Sequence, residues 1–520
     1  MKKSRFLALI LALAMLLSLG SFGTALAEEA PMEISLCFWD LVELNEDDPM
    51  LQKIEQDLGI KLTVLPMTWD NEIEMKLLWA ASDSLPDIIS TYTVEEDLAR
   101  FYQWLQSGLT RSIPQALIDK YPTVKTFVDS NVAVQAVKAY TNEISFIPRP
   151  FSMKNTFLFD QGCGFYIRKD WLRNLGLEEP KTVDEFYTVL EAFTNNDPDQ
   201  NGKNDTYGLV LTRGIPGAIF SWWGVELADW VVDEADGQLK PAYLTDAGLP
   251  AFEFLNKCYN EGLIDPEYAT NSTAAAQQKF AQGSFGVYYK NVDDLSVYKQ
   301  MMKQFGPAQG ITSPAEVVDL VGVLNPIVAN EGDQARWPAI TDYSGSEISA
   351  KVSDEKLDKI LELYEYLLTP EMQRLLRFGY EGKEYTIEND EVVPMINPET
   401  ELPYDVAAIY PASRLYCLAS WAIDTDIESN MIPQEIKDVS KVVRDAFNPI
   451  AKGTNLPIFV MSTPAKDALA IDTRSGYNDI VMTGGDVAEA MHDWQAESME
   501  KGLTEAIAEV NAKADEMGLK

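Results

Sequence analysis

Histidine is nearly absent from this chain of 520 residues, where His492 is the only one. It falls in a polar helical stretch near the C-terminus, which favours a surface position. A single histidine cannot form a histidine-rich metal site, and Ser/His/acid catalysis would have to use this residue. No nucleophile elbow or phosphate-binding loop stands out in the sequence. Paired carboxylates stay open as a catalytic arrangement, because Asp and Glu number 81.

Cysteine is also scarce. Cys37, Cys163, Cys258 and Cys417 are widely spaced and form no CxxC pair, which argues against a zinc site. Cys258 lies in the apolar stripe of a helix predicted over residues 249–259, so we expect it to be buried and free. A disulfide among the other three stays open, because sequence spacing cannot pair them.

Basic residues are few relative to acidic ones. Lys and Arg total 42, and the formal net charge is −39 at pH 7. Such acidity argues against binding to nucleic acid or to anionic membrane surfaces. It favours solubility outside the cell and says little about a ligand.

Long apolar runs are missing except at the start of the chain. An apolar stretch at residues 6–19 follows three basic residues, and Ala25-Leu26-Ala27 is a small-x-small cleavage site. Residues 1–27 are therefore predicted to be a secretory signal peptide that is cleaved after Ala27. The first cysteine is Cys37, inside a predicted strand, so no lipid-anchor cysteine is seen. We expect an exported protein, either extracellular or at the cell surface or in the periplasm.

Strands and helices alternate along the remaining chain, which predicts an α/β fold. Strands are predicted at residues 34–39, 61–66 and 85–89, and a helix at 71–82. The apolar spacing in that helix predicts that Ile73, Leu77, Leu78 and Ala81 face inward. A capping box at residues 182–185 marks the start of a later helix. The length is sufficient for two or three domains.

The clearest local pattern is Asp-Pro-Asp-Gln-Asn-Gly-Lys-Asn-Asp at residues 197–205. Its spacing is that of a loop that wraps a calcium ion, with oxygen ligands at alternate positions and a glycine at the turn. The predicted ligands are Asp197, Asp199, Asn201, the backbone carbonyl of Lys203, and Asp205. Position twelve is Gly208 instead of a bidentate Glu, so the loop is not a complete helix–loop–helix site. A solvated turn rich in Asp and Asn is the alternative. A filled site would be structural.

Five separated segments, taken together, resemble the extracellular solute-binding proteins of bacterial ABC importers, of the large oligosaccharide type (family 1). They are the β-α-β-α-β opening that ends in Leu-Pro-Asp-Ile at 85–88, the series from 165 to 209 around the loop, and residues 262–270, 279–289 and 374–386. In members with a filled calcium loop, a Glu follows the last Asp, whereas Thr206 stands here. The lipid-modified cysteine that tethers many members has no counterpart.

The resemblance implies a periplasmic-binding-protein-like fold: two α/β lobes with a ligand cleft between them, joined by several hinge crossovers. We place the crossings near residues 150, 317 and 385. The first lobe would then comprise residues 28–150 and 318–385. The second lobe would comprise 151–317, including the calcium-type loop, and 386–520.

Aromatic residues indicate the ligand, because sugar rings present flat C–H faces that aromatic rings cover well, while hydroxyl edges need polar partners. The chain has 11 Trp and 22 Tyr. Candidates fall where strands or loops end, the edge at which open α/β sheets bind ligands. They are Trp39, Asp40, Trp69, Trp222, Trp223, Tyr289, Arg336, Trp337 and Trp421. Core packing is the alternative for each ring, and a solvated charge is the alternative for Asp40 and Arg336.

These observations predict a monomeric solute-binding protein that takes an oligosaccharide or related sugar into its cleft and delivers it to ABC permease subunits. Calcium would rigidify the second lobe. A secreted carbohydrate-active enzyme is one alternative, and a binding protein for peptides or for a sensory partner is another.

Overall fold

The computed structural model describes residues 30–39, 41–92, 98–150, 158–159, 163–212, 214–227, 229–233, 236–334, 337–340, 344–388, 391–399, 403–421, 432–453 and 456–519. The predicted signal peptide lies outside these residues. Within them, every helix is too short or too polar to span a bilayer.

Strands and helices alternate through most of the chain. Strands β1 to β17 are, in chain order, Met32–Cys37, Ile60–Val64, Ile88–Tyr92, Thr110–Arg111, Ile147–Arg149, Leu158–Phe159, Cys163–Arg168, Tyr207–Val210, Trp230–Val232, Leu239–Pro241, Phe285–Asn291, Val321–Val323, Trp337–Ile340, Ser344–Ser349, Tyr385–Glu388, Glu391–Pro394 and Ala451–Gly453. The longer α-helices are Pro49–Leu58, Glu72–Ala81, Leu98–Ser107, Pro122–Ser130, Val132–Thr141, Lys169–Leu175, Val183–Asn195, Leu249–Asn260, Thr273–Ala281, Pro314–Leu320, Asp354–Leu367, Pro370–Phe378, Gln434–Phe447, Thr473–Val481, Val487–Ser498 and Thr504–Met517.

Shorter helical segments connect these elements. They are Gln115–Ile118, Gly217–Phe220, Asp294–Tyr298, Gly306–Ala308, Val406–Ile409, Tyr416–Ala419, Leu456–Phe459 and Pro464–Asp467, the 3₁₀ turns Ser221–Trp223, Ala242–Leu244, Asp246–Gly248, Pro411–Leu415 and Asn448–Ile450, and the π-helical turns Lys299–Phe305 and Met499–Leu503.

The first lobe surrounds a sheet of order β2-β1-β3-β14-β4, in which β5 also pairs with β14. β1 is parallel to β2 and β3, and β14 is antiparallel to β3. The carboxyl ends of β1, β2 and β3 therefore meet at one edge. β14 begins at this edge, because Ser344 pairs with Tyr92, and β5 ends there, because Arg149 pairs with Ser344. The chain leaves the first lobe after β5 and re-enters it at β14, so this edge lies at the interlobe junction.

The second lobe surrounds a sheet of order β12-β7-β11-β8. β8 is parallel to β11, whereas β7 is antiparallel to β11 and β12. Asn291, the last residue of β11, pairs with Cys163, the first residue of β7. The chain reaches Cys163 from the first lobe, so this edge faces the interlobe junction. Each lobe has its own core of buried apolar side chains. The prediction of two α/β lobes is confirmed.

Helix Val183–Asn195 shows how local sequence fixes an element against the second sheet. The predicted capping box forms, with Thr182 accepting from the backbone of Glu185 and Glu185 reaching back. The helix packs so closely on β11 that a Cβ at Gly286 would lie 2.0 Å from Cδ2 of Phe193. Only glycine allows this approach.

Helix Glu72–Ala81 faces the opposite way from the prediction. Ile73, Leu77 and Leu78 are each more than half exposed. The buried face instead carries Glu72, Lys76 and Trp79, which also share the i, i+4, i+7 spacing of a single helix side. The apolar stripe predicted the wrong face, because Trp39, a buried residue that follows β1, donates its Nε1 hydrogen to the carboxylate of Glu72.

Three short strands join the lobes. β13 pairs with β6 and with β17, forming a small sheet from three separate parts of the chain. β12 still pairs with β7 of the second lobe, so the chain returns to the first lobe between Leu324 and Ser344, later than the crossing placed near 317. The apolar pattern at 318–323 shows a strand but does not identify its partner.

The next crossing also comes later than the position near 385. Residues 406–419 pack in the core of the first lobe, whereas Ile432, Ile436 and Val443 pack in the second. The chain therefore passes from the first lobe to the second between Trp421 and Ile432. Strands β15 and β16 form a hairpin that stays on the first lobe, where Tyr385 packs against Phe378.

Candidate functional site

Three tryptophans gather at the cleft edge of the first lobe. The rings of Trp39 and Trp69 are stacked, with centroids 4.8 Å apart and planes 8° apart. Trp421 lies 6.4 Å from each ring, inclined by 27° to Trp39 and 23° to Trp69. Trp39 is buried, whereas Trp69 and Trp421 are partly exposed. We call these residues the tryptophan cluster.

Strand topology places these three rings together. Trp39 follows β1 and Trp69 follows β2, at the carboxyl ends of neighbouring parallel strands. Trp421 comes from a distant part of the chain and is fixed at the same edge: its backbone N–H donates to the Pro150 carbonyl at 3.0 Å, and its Nε1 donates to Ser344 Oγ at 3.0 Å. The predictions for Trp39, Trp69 and Trp421 thus meet at one surface.

A buried ion pair holds the innermost ring. Nε1 of Trp39 donates to Oε2 of Glu72 at 2.6 Å. The same carboxylate oxygen lies 3.4 Å from Nζ of Lys76, which is 1% exposed. Lys76 also stands 5.7 Å from the centroid of the Trp39 ring, within range of a cation–π contact. Glu72 and Lys76 therefore set the orientation of Trp39.

Arg149 supports the tryptophan cluster from the buried side, a role that the sequence did not reveal. Its guanidinium lies 4.9 Å from the Phe38 ring and 5.5 Å from the rings of Trp39 and Trp421. It donates to the Leu418 carbonyl and to hydroxyls of Ser90, Ser344 and Ser346 at 2.9–3.2 Å. These bonds tie β3, β5 and β14 together below the aromatic surface. An arginine within a short strand gives no sequence signal of this role.

The second lobe contributes a less continuous surface. Tyr289, near the end of β11, is partly exposed and lies 4.9 Å from the ring of Phe165. Trp223 is also partly exposed and packs beside the lobe's core. Trp222 differs from the prediction of a cleft residue: it is 3% exposed and packs among Phe165 and Phe186 in the core. It lies in a helical turn whose buried side the loop-like sequence did not reveal.

Trp337 lies in the small sheet that connects the lobes. Trp337 begins strand β13 of the connecting sheet instead of lying in a loop of the first lobe, and its backbone pairs with Ala451. Asp40 and Arg336 lie outside the described residues.

The calcium-type loop is closed by hydrogen bonds from its own amide groups to its own carboxylates. Oδ1 and Oδ2 of Asp197 accept from the backbone N–H groups of Asn201 and Gly202 at 3.1 and 3.0 Å. Nδ2 of Asn201 donates to Asp199 at 2.7 Å and to Asp205 at 3.1 Å. Two carboxylates thus accept from the side-chain amide of Asn201, whose oxygen and nitrogen exchange places on a simple flip.

This donor set suits a hard cation chemically, since it consists of oxygens. Thr206 supplies no further ligand, because its hydroxyl donates to the Phe193 carbonyl. Across the described ranges, no group of three or more His, Cys, Asp or Glu side chains is arranged to hold a metal ion. Calcium binding stays a prediction.

The cysteines are free, and three of them are buried. Cys37, Cys258 and Cys417 are buried, whereas Cys163 is partly exposed at the start of β7. The prediction that Cys258 is buried and free is confirmed. Burial raises the pKa of Cys37 to about 11 and raises the pKa values of Cys258 and Cys417 above their ordinary value.

The chain matches known proteins over most of its length. Residues 50–382 match the family described as bacterial extracellular solute-binding protein. Lipoprotein LipO of Bacillus subtilis (strain 168) is 28% identical over 450 residues, covering 83% of each chain. The polygalacturonan/rhamnogalacturonan-binding protein YtcQ of the same organism is 27% identical over 367 residues, covering 68% of this chain and 67% of YtcQ.

A solved structure shows the same fold. The ABC-transporter substrate-binding protein FusA of Streptococcus pneumoniae, in complex with kestose, superposes with a TM-score of 0.66 at 18% identity, covering 94% of this chain and 99% of FusA. The predicted resemblance, the two-lobed fold and the role of a binding protein rather than an enzyme are thereby confirmed. The chain belongs to the bacterial extracellular solute-binding proteins.

Proposed function

We propose that this protein is the extracellular solute-binding component of an ABC importer and that it binds an oligosaccharide or related sugar between its lobes. The observation that carries the proposal is the tryptophan cluster, which places two partly exposed indoles at the cleft edge of the first lobe. The names of YtcQ and FusA support the ligand class, since YtcQ is called a polygalacturonan/rhamnogalacturonan-binding protein and FusA was solved in complex with kestose.

The chemistry of the cluster suits a sugar ring. The C–H face of a pyranose or furanose packs against the face of an indole, which is apolar and carries partial negative charge. Trp69 and Trp421 supply such faces, and the buried contacts of Trp39 and Arg149 keep them in place without the ligand. A preformed surface of this kind binds with little loss of side-chain entropy.

The second lobe would complete the site when the lobes close. Tyr289 and Trp223 lie on the second lobe, and the sheet of β6, β13 and β17 provides the hinge. Closure of two domains around a ligand is the usual response of binding proteins of this kind. The closed form would then dock on the permease subunits.

Export and calcium complete the proposal. Cleavage after Ala27 would release a mature chain that begins at Glu28, and the intact mass of the secreted protein tests this position.

Calcium would bind Asp197, Asp199, Asn201, the carbonyl of Lys203, and Asp205, and would stiffen the loop between helix Val183–Asn195 and β8.

The function is tested with the purified mature protein and a panel of glycans and peptides. Thermal unfolding measures stabilisation by each ligand, and chromatography of the incubated glycans measures conversion. We expect stabilisation by an oligosaccharide that is recovered intact. Stabilisation by peptides alone would overturn the sugar assignment, and conversion of the glycan would overturn the role of a binding protein.

A further inference from the structure

Two contacts of different kinds join the lobes outside the connecting sheet. The first is made by residues 456–469, which follow β17 and which we call the strap. The hydroxyl of Tyr102 donates to the Val460 carbonyl at 2.5 Å. Nε2 of Gln103 donates to the Asp467 carbonyl at 2.8 Å. Both donors lie on one helix of the first lobe, so uncharged hydrogen bonds fix the strap to that lobe.

The other side of the strap is buried against the second lobe. Ile458 and Met461 pack with Trp230 in an apolar cluster whose side chains are almost fully buried. Tyr243 contacts both this cluster and the core of the second lobe. Nζ of Lys466 donates to the Met461 carbonyl at 2.8 Å and so closes the turn of the strap. Separating a buried apolar contact exposes it to water at a high cost in free energy, so the strap stays attached to both lobes.

The second contact is an ion pair between Lys303 of the second lobe and Asp405 of the first. Nζ of Lys303 lies 2.9 Å from Oδ2 of Asp405, and the two side chains are 26% and 52% exposed. Lys303 lies on the π-helical turn Lys299–Phe305, whose buried side chains pack in the core of the second lobe. Asp405 caps helix Val406–Ile409, whose first residue packs in the core of the first lobe. Each partner is thus fixed to its own lobe, and π-helical turns are frequent at functional sites.

The two contacts lie on opposite faces of the first sheet. β14 is antiparallel to both β3 and β4, so β4 is parallel to β3, and helix Leu98–Ser107 connects them. Helix Pro49–Leu58 connects the parallel strands β1 and β2. These two crossovers run in opposite directions along the sheet, and right-handed crossovers then place their helices on opposite faces. The strap binds the former helix, whereas the segment after Asp405 binds the cap of the latter, because the Ala412 N–H donates to Asp48 at 2.9 Å.

We infer that the lobes pivot on the strap and that Lys303 and Asp405 form a latch, which holds the arrangement seen in this structure and separates when the lobes rotate. The strap is buried, whereas the ion pair is exposed to water, where such pairs contribute little free energy and separate readily. Because the latch lies on the face opposite the strap, a small rotation about the strap moves its two charges apart. The latch sets the balance between lobe arrangements even without ligand, a role beyond the proposed function that does not depend on the class of sugar.

Pulsed electron paramagnetic resonance on the mature protein tests the latch through the distance between the lobes. Nitroxide labels are placed at Leu77→Cys in the first lobe and Val442→Cys in the second, two positions that are more than half exposed. Cys163→Ser removes the partly exposed native thiol. Lys303→Gln and Asp405→Asn are each expected to raise the fraction of molecules with a changed interlobe distance about two- to five-fold, as the loss of an exposed ion pair implies. Asparagine at position 405 keeps the helix cap.

Salt and a matched variant provide the controls. High salt screens an exposed ion pair, so about 1 M sodium chloride is expected to shift the wild-type distances as Lys303→Gln does and to leave that variant unchanged. Lys120→Gln also removes one positive charge from an exposed ion pair, with Asp358 at 3.0 Å, but this pair lies within the first lobe. It is expected to keep the wild-type distances.

Equal distance distributions for the wild type, Lys303→Gln and Asp405→Asn would overturn the latch, as would an equal change in Lys120→Gln. Amide hydrogen exchange within residues 456–469 is expected to stay as slow in Lys303→Gln as in the wild type. Faster exchange there would overturn the pivot, because the strap would then separate together with the latch. Sugar binding is measured separately with the glycan panel, so failure of the latch leaves the proposed function intact.

Discussion

The indole of Trp39 is stacked on that of Trp69 at 4.8 Å, and its Nε1 is fixed at 2.6 Å to the buried carboxylate of Glu72. A buried polar contact therefore orients an aromatic surface at the cleft edge of the first lobe. Substitutions in and around this cluster can distinguish the side chains that contact the sugar from those that hold the contacting rings in place.

Trp69→Ala and Trp421→Ala are each expected to weaken sugar binding about ten-fold, equivalent to about 1.4 kcal/mol, because each removes a partly exposed ring face. Calorimetric titration with the best glycan measures the change. Tyr207→Ala is the matched control. It removes a half-exposed aromatic ring stacked on Phe285 at the opposite edge of the second sheet, and binding is expected to be unchanged. Equal losses for all three variants would contradict this role of the cluster.

Glu72→Leu is expected to destabilise the protein by about 3 kcal/mol, since it leaves Nε1 of Trp39 and the ammonium of Lys76 buried without their carboxylate. Urea unfolding measures this loss. The double variant Glu72→Leu/Lys76→Met removes both charges and is expected to recover part of the stability. A double variant less stable than the single one would show that the ion pair is not the cause.

Calcium is expected to raise the midpoint of thermal unfolding, and a chelator to reverse the effect. At a concentration one hundred times the Kd, the gain in free energy is about 2.7 kcal/mol. Asp199→Ala should abolish the response, because it removes a predicted ligand. Asn204→Ala changes the same loop at a position without a predicted ligand role and should retain it. A response that survives Asp199→Ala would place the ion elsewhere.

Gly286→Ala is expected to destabilise the second lobe by about 2 kcal/mol, because the new Cβ would overlap the Phe193 ring. Gly484→Ala, where no atom lies within 4 Å of the added Cβ, is expected to have little effect. Chemical denaturation of both variants tests the close approach of helix and sheet. Adding Phe193→Leu to Gly286→Ala should restore part of the loss by opening space.

Thiol reactivity is expected to single out Cys163. Only thiolates react rapidly, and raised pKa values keep Cys37, Cys258 and Cys417 protonated at pH 8. Their thiolate fractions grow as the pH approaches the raised values, so their reactivity should rise only at higher pH. Cys163 is partly exposed at the interlobe edge. A chromogenic disulfide reagent should modify it first, and bound glycan should slow the reaction. Equal rates at all four thiols in the native protein would contradict the assignment.

The sequence predicted elements better than it predicted which face each element buries. The capping box at Thr182 and Glu185 formed as expected because it depends on residues within one helical turn. Helix Glu72–Ala81 presented two candidate faces, and the decisive partner, Trp39, lies 33 residues away. Periodicity within a helix does not contain that information.

At the candidate site, too, the sequence predicted the location of some residues but not their burial or their long-range partners. Trp39 and Trp69 follow predicted parallel strands, so the topology of an α/β sheet was enough to bring them together. Trp222 has the same residue type, but it is buried in the core of the second lobe. Arg149 gave no signal at all, because its partners come from β3, from β14 and from residue 418. Long-range partners of this kind are set by the folded chain as a whole.

Trp421 connects the tryptophan cluster to two positions at which the chain crosses between the lobes. Its ring Nε1 donates to Ser344, which begins β14, and its backbone N–H donates to the carbonyl of Pro150, which follows β5. The tryptophan cluster is therefore anchored where the chain passes between the lobes. A displacement of this ring would therefore act on the end of β5 and on the start of β14, where the chain leaves the first lobe and re-enters it.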